Sequence, residues 1–264
     1  MAADRVEPYA RLAGVYDEIV VDPCYPRWAD FIVDRFRSSS AAVDTVLDVC
    51  CGTGLLAAEL VSHGYRVVGV DSSQAMLTRA ETLLGPEATL VAATLPELGV
   101  DTIFDAAIST FDGLNYLTRS DFGLSLAAIA ERVRPDGWFI FDLHTDTMMR
   151  FTAANPVVSG EAAGNRFVIT SEVDQIARSC DTTINVIQAQ RGEPFSERHR
   201  QYFHSTETVR AELAAAGFDD VQVFDEYSDQ PIDDVTLRAT WTARRSARHP
   251  RRLVETTPGT TERR

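Results

Sequence analysis

Val46-Leu47-Asp48-Val49-Cys50-Cys51-Gly52-Thr53-Gly54 decides how this chain is read. The run from Thr45 to Cys50 has the apolar character of a buried strand. Gly52 and Gly54 let the backbone turn tightly and let a ligand approach it closely. Leu55–His63 follow as a helix, whose first turn offers unpaired N–H donors. Arg66–Val70 reads as the next strand, and Asp71 ends it. A carboxylate there can accept both hydroxyls of a ribose, each charge-assisted bond being worth roughly 1.5–3 kcal/mol. Together these features place a nucleoside cofactor across the first two strands, where doubly wound sheets bind their ligands. A dinucleotide fingerprint would require Gly-x-Gly-x-x-Gly. Here Gly52-Thr53-Gly54-Leu55-Leu56-Ala57 lacks the third glycine, and Asp48 would oppose a pyrophosphate. An ammonium is the better neighbour for Asp48, directly or through water.

Outward from this segment the chain alternates. Met76, Ala80, Leu83 and Leu84 mark a helix, short apolar runs at 89–92, 103–109 and 138–143 mark strands, and Phe122, Leu126, Ile129 and Val133 mark a helix between the last two. Such alternation builds βαβ units and a parallel sheet. Upstream, Tyr9, Leu12, Ala13, Tyr16, Ile19 and Val20 fall on one helical face within residues 4–20. Pro26 starts a second helix with Trp28, Phe31, Ile32 and Phe36 inside. Downstream of His144, strands at 166–175, 182–190 and 198–203 follow one another without a helix and read as an antiparallel insertion. Ser205 caps a helix that Gly217 stops, and strands at 221–224 and 236–242 close the domain. The expected domain is 1–244, with cap helices in 1–40 and a substrate lid in 145–204.

The 264 residues carry 39 acidic and 25 basic side chains, a net charge of −14, and every basic residue is Arg. A chain this acidic repels nucleic-acid phosphate and anionic membrane. No apolar run approaches the ~20 residues needed to span a bilayer, and the first residues lack a signal-peptide core. Four Cys do not make a disulfide scaffold. The expectation is a cytoplasmic protein, monomer or homodimer, with no metal and no nucleic-acid or membrane partner. Residues 245–264 hold six Arg against two Glu and few large apolar residues, the composition of a disordered tail.

The motifs in order resemble the class I S-adenosylmethionine (SAM) methyltransferases, small-molecule-modifying subgroup. Asp48-Val49-Cys50-Cys51-Gly52-Thr53-Gly54 matches their opening Asp/Glu-x-Gly-x-Gly-x-Gly in all but the first glycine, replaced here by Cys50. Asp71-Ser72-Ser73-Gln74-Ala75-Met76-Leu77, Phe104–Phe111, Val133–Gly137 and the N-terminal Tyr9–Asp17 are similar to further family segments. The resemblance implies an α/β, Rossmann-like, seven-stranded sheet. It implies SAM as cofactor, with Asp48 and the backbone at Cys50, Gly52 and Gly54 at the methionine end. Asp71 and Ser72 would lie at the ribose, and Met76 near the adenine. Tyr16 would close over the carboxylate, and the backbone at Ser109, Thr110 and Phe111 would receive the ammonium. Ala93 stands where the family often has an Asp for the adenine amino group, leaving Thr94, a water or a backbone group to do that work.

Methyl transfer from a sulfonium is an in-line displacement in which positioning supplies roughly 7–11 kcal/mol. A base is needed only where the acceptor must lose a proton. Among the five His, His144 ends the fifth strand at the edge where substrate sits, and His199 lies in the lid; these are the candidate bases. Trp28, Asp112, Asn115, Tyr116, Arg198 and Arg200 are the candidate acceptor contacts. The expected reaction is methyl transfer to oxygen or nitrogen of a small molecule, in secondary metabolism by association with a GC-rich source. Non-methylating SAM chemistry such as cyclisation, an RNA or protein methyltransferase, and a non-catalytic SAM-binding protein stay open as alternatives.

Overall fold

The computed structural model describes residues 8–20, 24–188 and 193–247. After a single 3-10 turn at Leu12–Gly14, the elements run α1 (Tyr16–Ile19), α2 (Tyr25–Arg37), β1 (Thr45–Val49), α3 (Leu55–Ser62), β2 (Arg66–Asp71), α4 (Gln74–Leu84), β3 (Ala88–Ala92) and β4 (Phe104–Ser109). They continue with α5 (Arg119–Arg132), β5 (Val133–His144), α6 (Asp146–Ala154), β6 (Val157–Ala162), β7 (Asn165–Asp174), β8 (Ser179–Gln188), β9 (Phe195–Tyr202), α7 (Thr206–Ala216), β10 (Phe218–Asp225) and β11 (Arg238–Arg245). A seven-stranded sheet has the order β10-β11-β5-β4-β1-β2-β3, and a separate four-stranded sheet the order β6-β7-β8-β9. In the larger sheet β1 to β5 pair in parallel, while β11 is antiparallel to both β5 and β10. The smaller sheet is antiparallel throughout.

The central strands are apolar on consecutive residues because both of their faces are covered. Successive side chains of a strand point to opposite faces. Leu47, Val49, Ala107, Phe139 and Phe141 join the core beneath α5 and α7, whereas Val46, Ala106, Ile108 and Ile140 join the one beneath α2 and α3. Strand order reverses at β1, which lies between β2 and β4. The turns that leave β1 and β4 therefore flank the crevice expected at a topological switch point.

Local chemistry explains the boundaries. Ser73, Thr118, Thr145 and Ser205 each accept a hydrogen bond from the backbone N–H three residues on and start α4, α5, α6 and α7. Gly217 takes φ 85° and ends α7. Asp105 accepts from the backbone N–H of Asp44 and Thr45 and pairs with Arg134, a role confined to the sheet's far end.

Three expectations change. The amphipathic stretch near the N terminus is not one helix in its described part: it is the 3-10 turn followed by the four-residue α1. The insertion begins with α6 and β6, which the strand pattern missed because β6 is exposed along most of its length. Arg245 belongs to the sheet and not to a tail. It is buried and donates to the carbonyls of Ala130 and Gly217. The remainder of the basic segment, 248–264, including His249, lies outside the described residues. No helix among the described residues is long and apolar enough to cross a membrane.

Candidate active site

A cavity of about 460 Å³ opens at the carboxyl ends of β1, β2 and β4. One wall is built by the sheet's own loops: Cys50–Thr53 after β1, Asp71–Ser73 after β2, Ala93–Leu95 after β3, and Thr110, Phe111, Gly113 and Tyr116 after β4. The facing wall is aromatic and comes from the N-terminal segment, with Pro8, Tyr9, Tyr16 and Tyr25.

The first wall is shaped by backbone. Gly52 adopts φ 56° and a Cβ built there would meet nothing within 4 Å, so the missing side chain leaves open space at the turn. Gly54 serves packing instead. Its Cβ would come within 2.9 Å of Leu84 and 3.1 Å of Ala80, so this glycine lets α3 approach α4 and does not line the cavity. Cys50, in the place of the family's first glycine, holds φ 59°, a left-handed conformation that few non-glycine residues adopt. Its side chain is accommodated at Gly113, where a Cβ would stand only 2.7 Å from that of Cys50. Burial, reinforced by nearby carboxylates, pushes the Cys50 and Cys51 thiols up and keeps them protonated.

Asp71 is held by the turn it faces. Its carboxylate accepts from the N–H of Gly52 (2.9 Å) and of Ser73 (2.8 Å). Burial still raises its pKa despite those bonds. Asp48 is 2% exposed, does not line the cavity, and leaves Oδ1 without a partner. Burial, with the Asp71 charge adding to it, lifts the Asp48 carboxyl to about 8. Ser109 is likewise buried behind the wall with Oγ unpartnered. Met76 lines the cavity, as do Ser72, Ala93, Thr94, Thr110 and Phe111. A half-buried acid at the rim, open space over a glycine turn, and an unpaired carboxylate oxygen behind it fit a ligand with a ribose and a cationic end.

Behind the β4 loop lies a charged cluster. Phe111 and Asp112 have φ 60° and 52°, and such consecutive left-handed residues need an external brace. Asp142, fully buried on β5, supplies it by accepting from the backbone N–H of Phe111 and of Asp112, both at 2.7 Å. Arg238 on β11 neutralises the site through Asp142 (3.1 Å) and Asp112 (3.0 Å), and Tyr227 donates to Asp142 (2.8 Å). A lone acid inside the apolar Phe139–Leu143 run was the available signal, because a buried charge requires partners.

This cluster reassigns several expected contacts. His144 does not reach the cavity; its Nε2 lies 3.5 Å from Asp112, and burial lowers its pKa against the pull of Asp112. Asp112 is used up by Arg238 and Gln201. Asn115 is fully buried, donating to the Tyr202 carbonyl and accepting from the His144 N–H. Trp28 is core, stacked 4.4 Å from Tyr227. Arg198 and Arg200 alternate with the buried Glu197 and His199 along β9 and so face outward, Arg200 toward Asp181 at 3.7 Å. Among the described residues the four-stranded sheet thus places none in the cavity wall. It backs the wall instead. Tyr116 does line the cavity, and His199 stands directly behind it.

The backing is specific. Glu197, 1% exposed, accepts from the backbone N–H of Tyr9 (2.8 Å), Arg11 (2.5 Å) and Leu12 (2.9 Å). Burial opposes its ionisation, but His199 and these three donors prevail and hold its pKa below the ordinary value. Thr53 donates to Asp17 (2.7 Å) and Asn165 to Glu18 (2.7 Å), tying the same N-terminal segment to the glycine turn and to β7. Tyr9, Tyr25 and Glu197 were not among the expected site residues.

Residues 46–137 match the family model described as a methyltransferase domain. Over 244 residues the chain is 25% identical to a putative methyltransferase, YqeM, of Bacillus subtilis, covering 90% of this chain and 97% of that one. A shorter match, 32% over 114 residues, covers 43% of this chain and 48% of the dTDP-3-amino-3,4,6-trideoxy-alpha-D-glucopyranose N,N-dimethyltransferase of Streptomyces venezuelae. Among solved structures, a S-adenosylmethionine-dependent methyltransferase from Clostridium acetobutylicum superposes with a TM-score of 0.79 at 23% identity, covering 90% of this chain and 99% of that chain.

Proposed function

We propose that this chain, whose residues 46–137 match a methyltransferase domain and whose fold is that of the class I enzymes, is a SAM-dependent methyltransferase and that its acceptor is the amine nitrogen of a small molecule. The observation that carries the proposal is the aromatic lining: Tyr9, Tyr16 and Tyr25 of the facing wall together with Phe111 and Tyr116 of the loop after β4. Aromatic faces attract an ammonium by roughly 0.5–2 kcal/mol each. A cavity of this size suits a small molecule. The relative that acts on an amino sugar supports the choice of nitrogen over oxygen. Natural-product biosynthesis is the setting we propose.

SAM supplies a methyl group on a sulfonium sulfur. The protein's part is to hold and align. Asp71 would accept the ribose hydroxyls, the backbone at Cys50–Gly52 would receive the methionine end, and Met76 would pack on the adenine. Asp48 would act on the ammonium through water. The tyrosines would bring the acceptor nitrogen in line with the methyl carbon, which is where most of the rate enhancement in such a displacement originates. The braced β4 loop would keep Phe111 and Tyr116 in place.

The test is transfer of an isotope-labelled methyl group from SAM to panels of small amines, matched alcohols and phenols, and RNA. Label on nitrogen supports the reading. Label on oxygen alone moves the acceptor class, and label on RNA overturns it.

A further inference from the structure

The aromatic wall contains more hydroxyl chemistry than recognition of a cation requires. Tyr9 and Tyr116 hydroxyls are 2.7 Å apart, and the Tyr116 hydroxyl is 2.9 Å from Nδ1 of His199. On its far side the His199 ring places Nε2 3.6 Å from the Glu197 carboxylate. His199 and Glu197 are buried, whereas both tyrosines line the cavity. Resting on the methyltransferase reading above, we propose that this row is a proton relay: the acceptor's proton enters at Tyr9 and leaves the cavity to His199 through Tyr116.

The direction follows from counting hydrogens. Glu197 already holds three backbone donors, and its carboxylate, 3.6 Å from a buried Nε2 that has no closer partner among the described residues, favours the tautomer with the proton on Nε2 by charge and not by a formed hydrogen bond. Nδ1 is then an acceptor and takes the Tyr116 hydroxyl hydrogen. A hydroxyl has one hydrogen, so Tyr9 must donate to Tyr116. The Tyr9 oxygen is left with free lone pairs at the cavity. Burial raises both phenols well above their ordinary pKa. Neither becomes a phenolate base, but each can pass a proton by receiving one and giving one.

The step balances. The acceptor nitrogen forms a bond to the methyl carbon as the carbon–sulfur bond breaks, and that electron pair stays on sulfur, which becomes a neutral thioether. The nitrogen's surplus proton moves to the Tyr9 oxygen. Tyr9 gives its own to Tyr116, and Tyr116 gives its own to Nδ1. The product is an imidazolium facing Glu197. Tyr116 and Tyr9 face the reacting atoms; His199 and Glu197 are positioning residues that act through them. Among the described residues the ionisable groups facing the ring are Glu197 from its own strand, Tyr116 from the turn after β4 and Tyr9 from the N-terminal segment.

The first test needs no acceptor. Nitrogen-15 NMR of the His199 ring in the full chain, assigned with His199→Asn, should show a neutral ring protonated at Nε2 near pH 7.5, and Glu197→Gln should shift its resonances. A ring protonated at Nδ1 overturns the relay. The second test uses the acceptor that takes label most readily from the panel above. Tyr116→Phe and His199→Asn should each lower kcat at least tenfold, and S-adenosylhomocysteine affinity should stay within about twofold. His199→Asn should also abolish the acid limb of the kcat–pH profile. Unchanged kcat and an unchanged acid limb in His199→Asn overturn the relay while leaving the function intact. Absence of transfer by the wild-type enzyme overturns the function, and the NMR result then still decides the relay's geometry.

Discussion

The two walls of the cavity are held by different means. The sheet-side wall is local: Cys50 to Thr53, Asp71 to Ser73, and Thr110, Phe111 and Gly113 each sit within a few residues of a strand end. Backbone geometry does most of the shaping there, with Gly52 open and Gly54 admitting α4. The aromatic wall is assembled across the chain. Tyr9 is held by Glu197, 188 residues away, and touches Tyr116, 107 residues away. The lesson is that a common cofactor can be held by motifs that a strand–turn–helix unit produces by itself. The aromatic chamber proposed for the acceptor depends on long-range hydrogen bonds that tie separate segments together.

Breaking the tie should have the largest effect. Glu197→Ala leaves three N–H donors of the N-terminal segment without their acceptor. Unpaired buried groups cost about 1–3 kcal/mol each, and partial rehydration of a freed segment limits the total. We expect a loss of about 3 kcal/mol in urea unfolding, with proteolysis near residues 9–20 appearing under native conditions. Unchanged proteolysis would show that the aromatic wall does not rely on Glu197. On the sheet side, Asp71→Ala should weaken SAM binding by about 2 kcal/mol, roughly 30-fold, measured by calorimetry.

The accommodation of Cys50 gives a sharper test within the sheet-side wall. Gly113→Ala puts a Cβ 2.7 Å from that of Cys50 and should cost about 1–3 kcal/mol through overpacking. Cys50→Gly in the same chain should recover most of it, because neighbouring substitutions couple. Additive losses in the double-mutant cycle would mean that the two positions do not trade space.

The smallest effect is electrostatic. The Asp48 carboxyl is raised to about 8 in the folded chain, above its ordinary value near 3.9. Between those values the folded state binds the extra proton, so this group's contribution to stability falls as pH rises through that window and is lowest above 8. Asp48→Asn should therefore stabilise the cofactor-free protein at pH 8.5 by about 1–2 kcal/mol, on the order of 2–4 °C in Tm, while weakening SAM binding. A lower Tm at that pH would contradict the buried, unpartnered setting of Oδ1.

The same contrast explains what was legible in the sequence. Apolar periodicity and the glycine turn announced the parallel sheet. Asp71, Ser72, Met76, Ala93 and Thr94 all line the cavity, because each lies next to a strand end that the pattern located. Acceptor contacts were harder. His144 and Asp112 stand at the correct edge of the sheet, but Asp142 and Arg238 draw them into a brace behind the wall. Arg198 and Arg200 have the right charge for a clamp, yet strand alternation turns them outward and His199 inward. Tyr9 sat in the N-terminal motif, but its partner at 197 had no local signature. Its role emerges only from tertiary contact.

Calorimetric titration of S-adenosylhomocysteine into the wild-type protein, Asp71→Ala and Tyr116→Phe tests the division between the two walls most directly. Measurable wild-type binding, roughly 30-fold weaker binding to Asp71→Ala and essentially wild-type binding to Tyr116→Phe are expected. Wild-type protein that does not bind, or a Tyr116→Phe loss as large as that of Asp71→Ala, would contradict the division between the two walls.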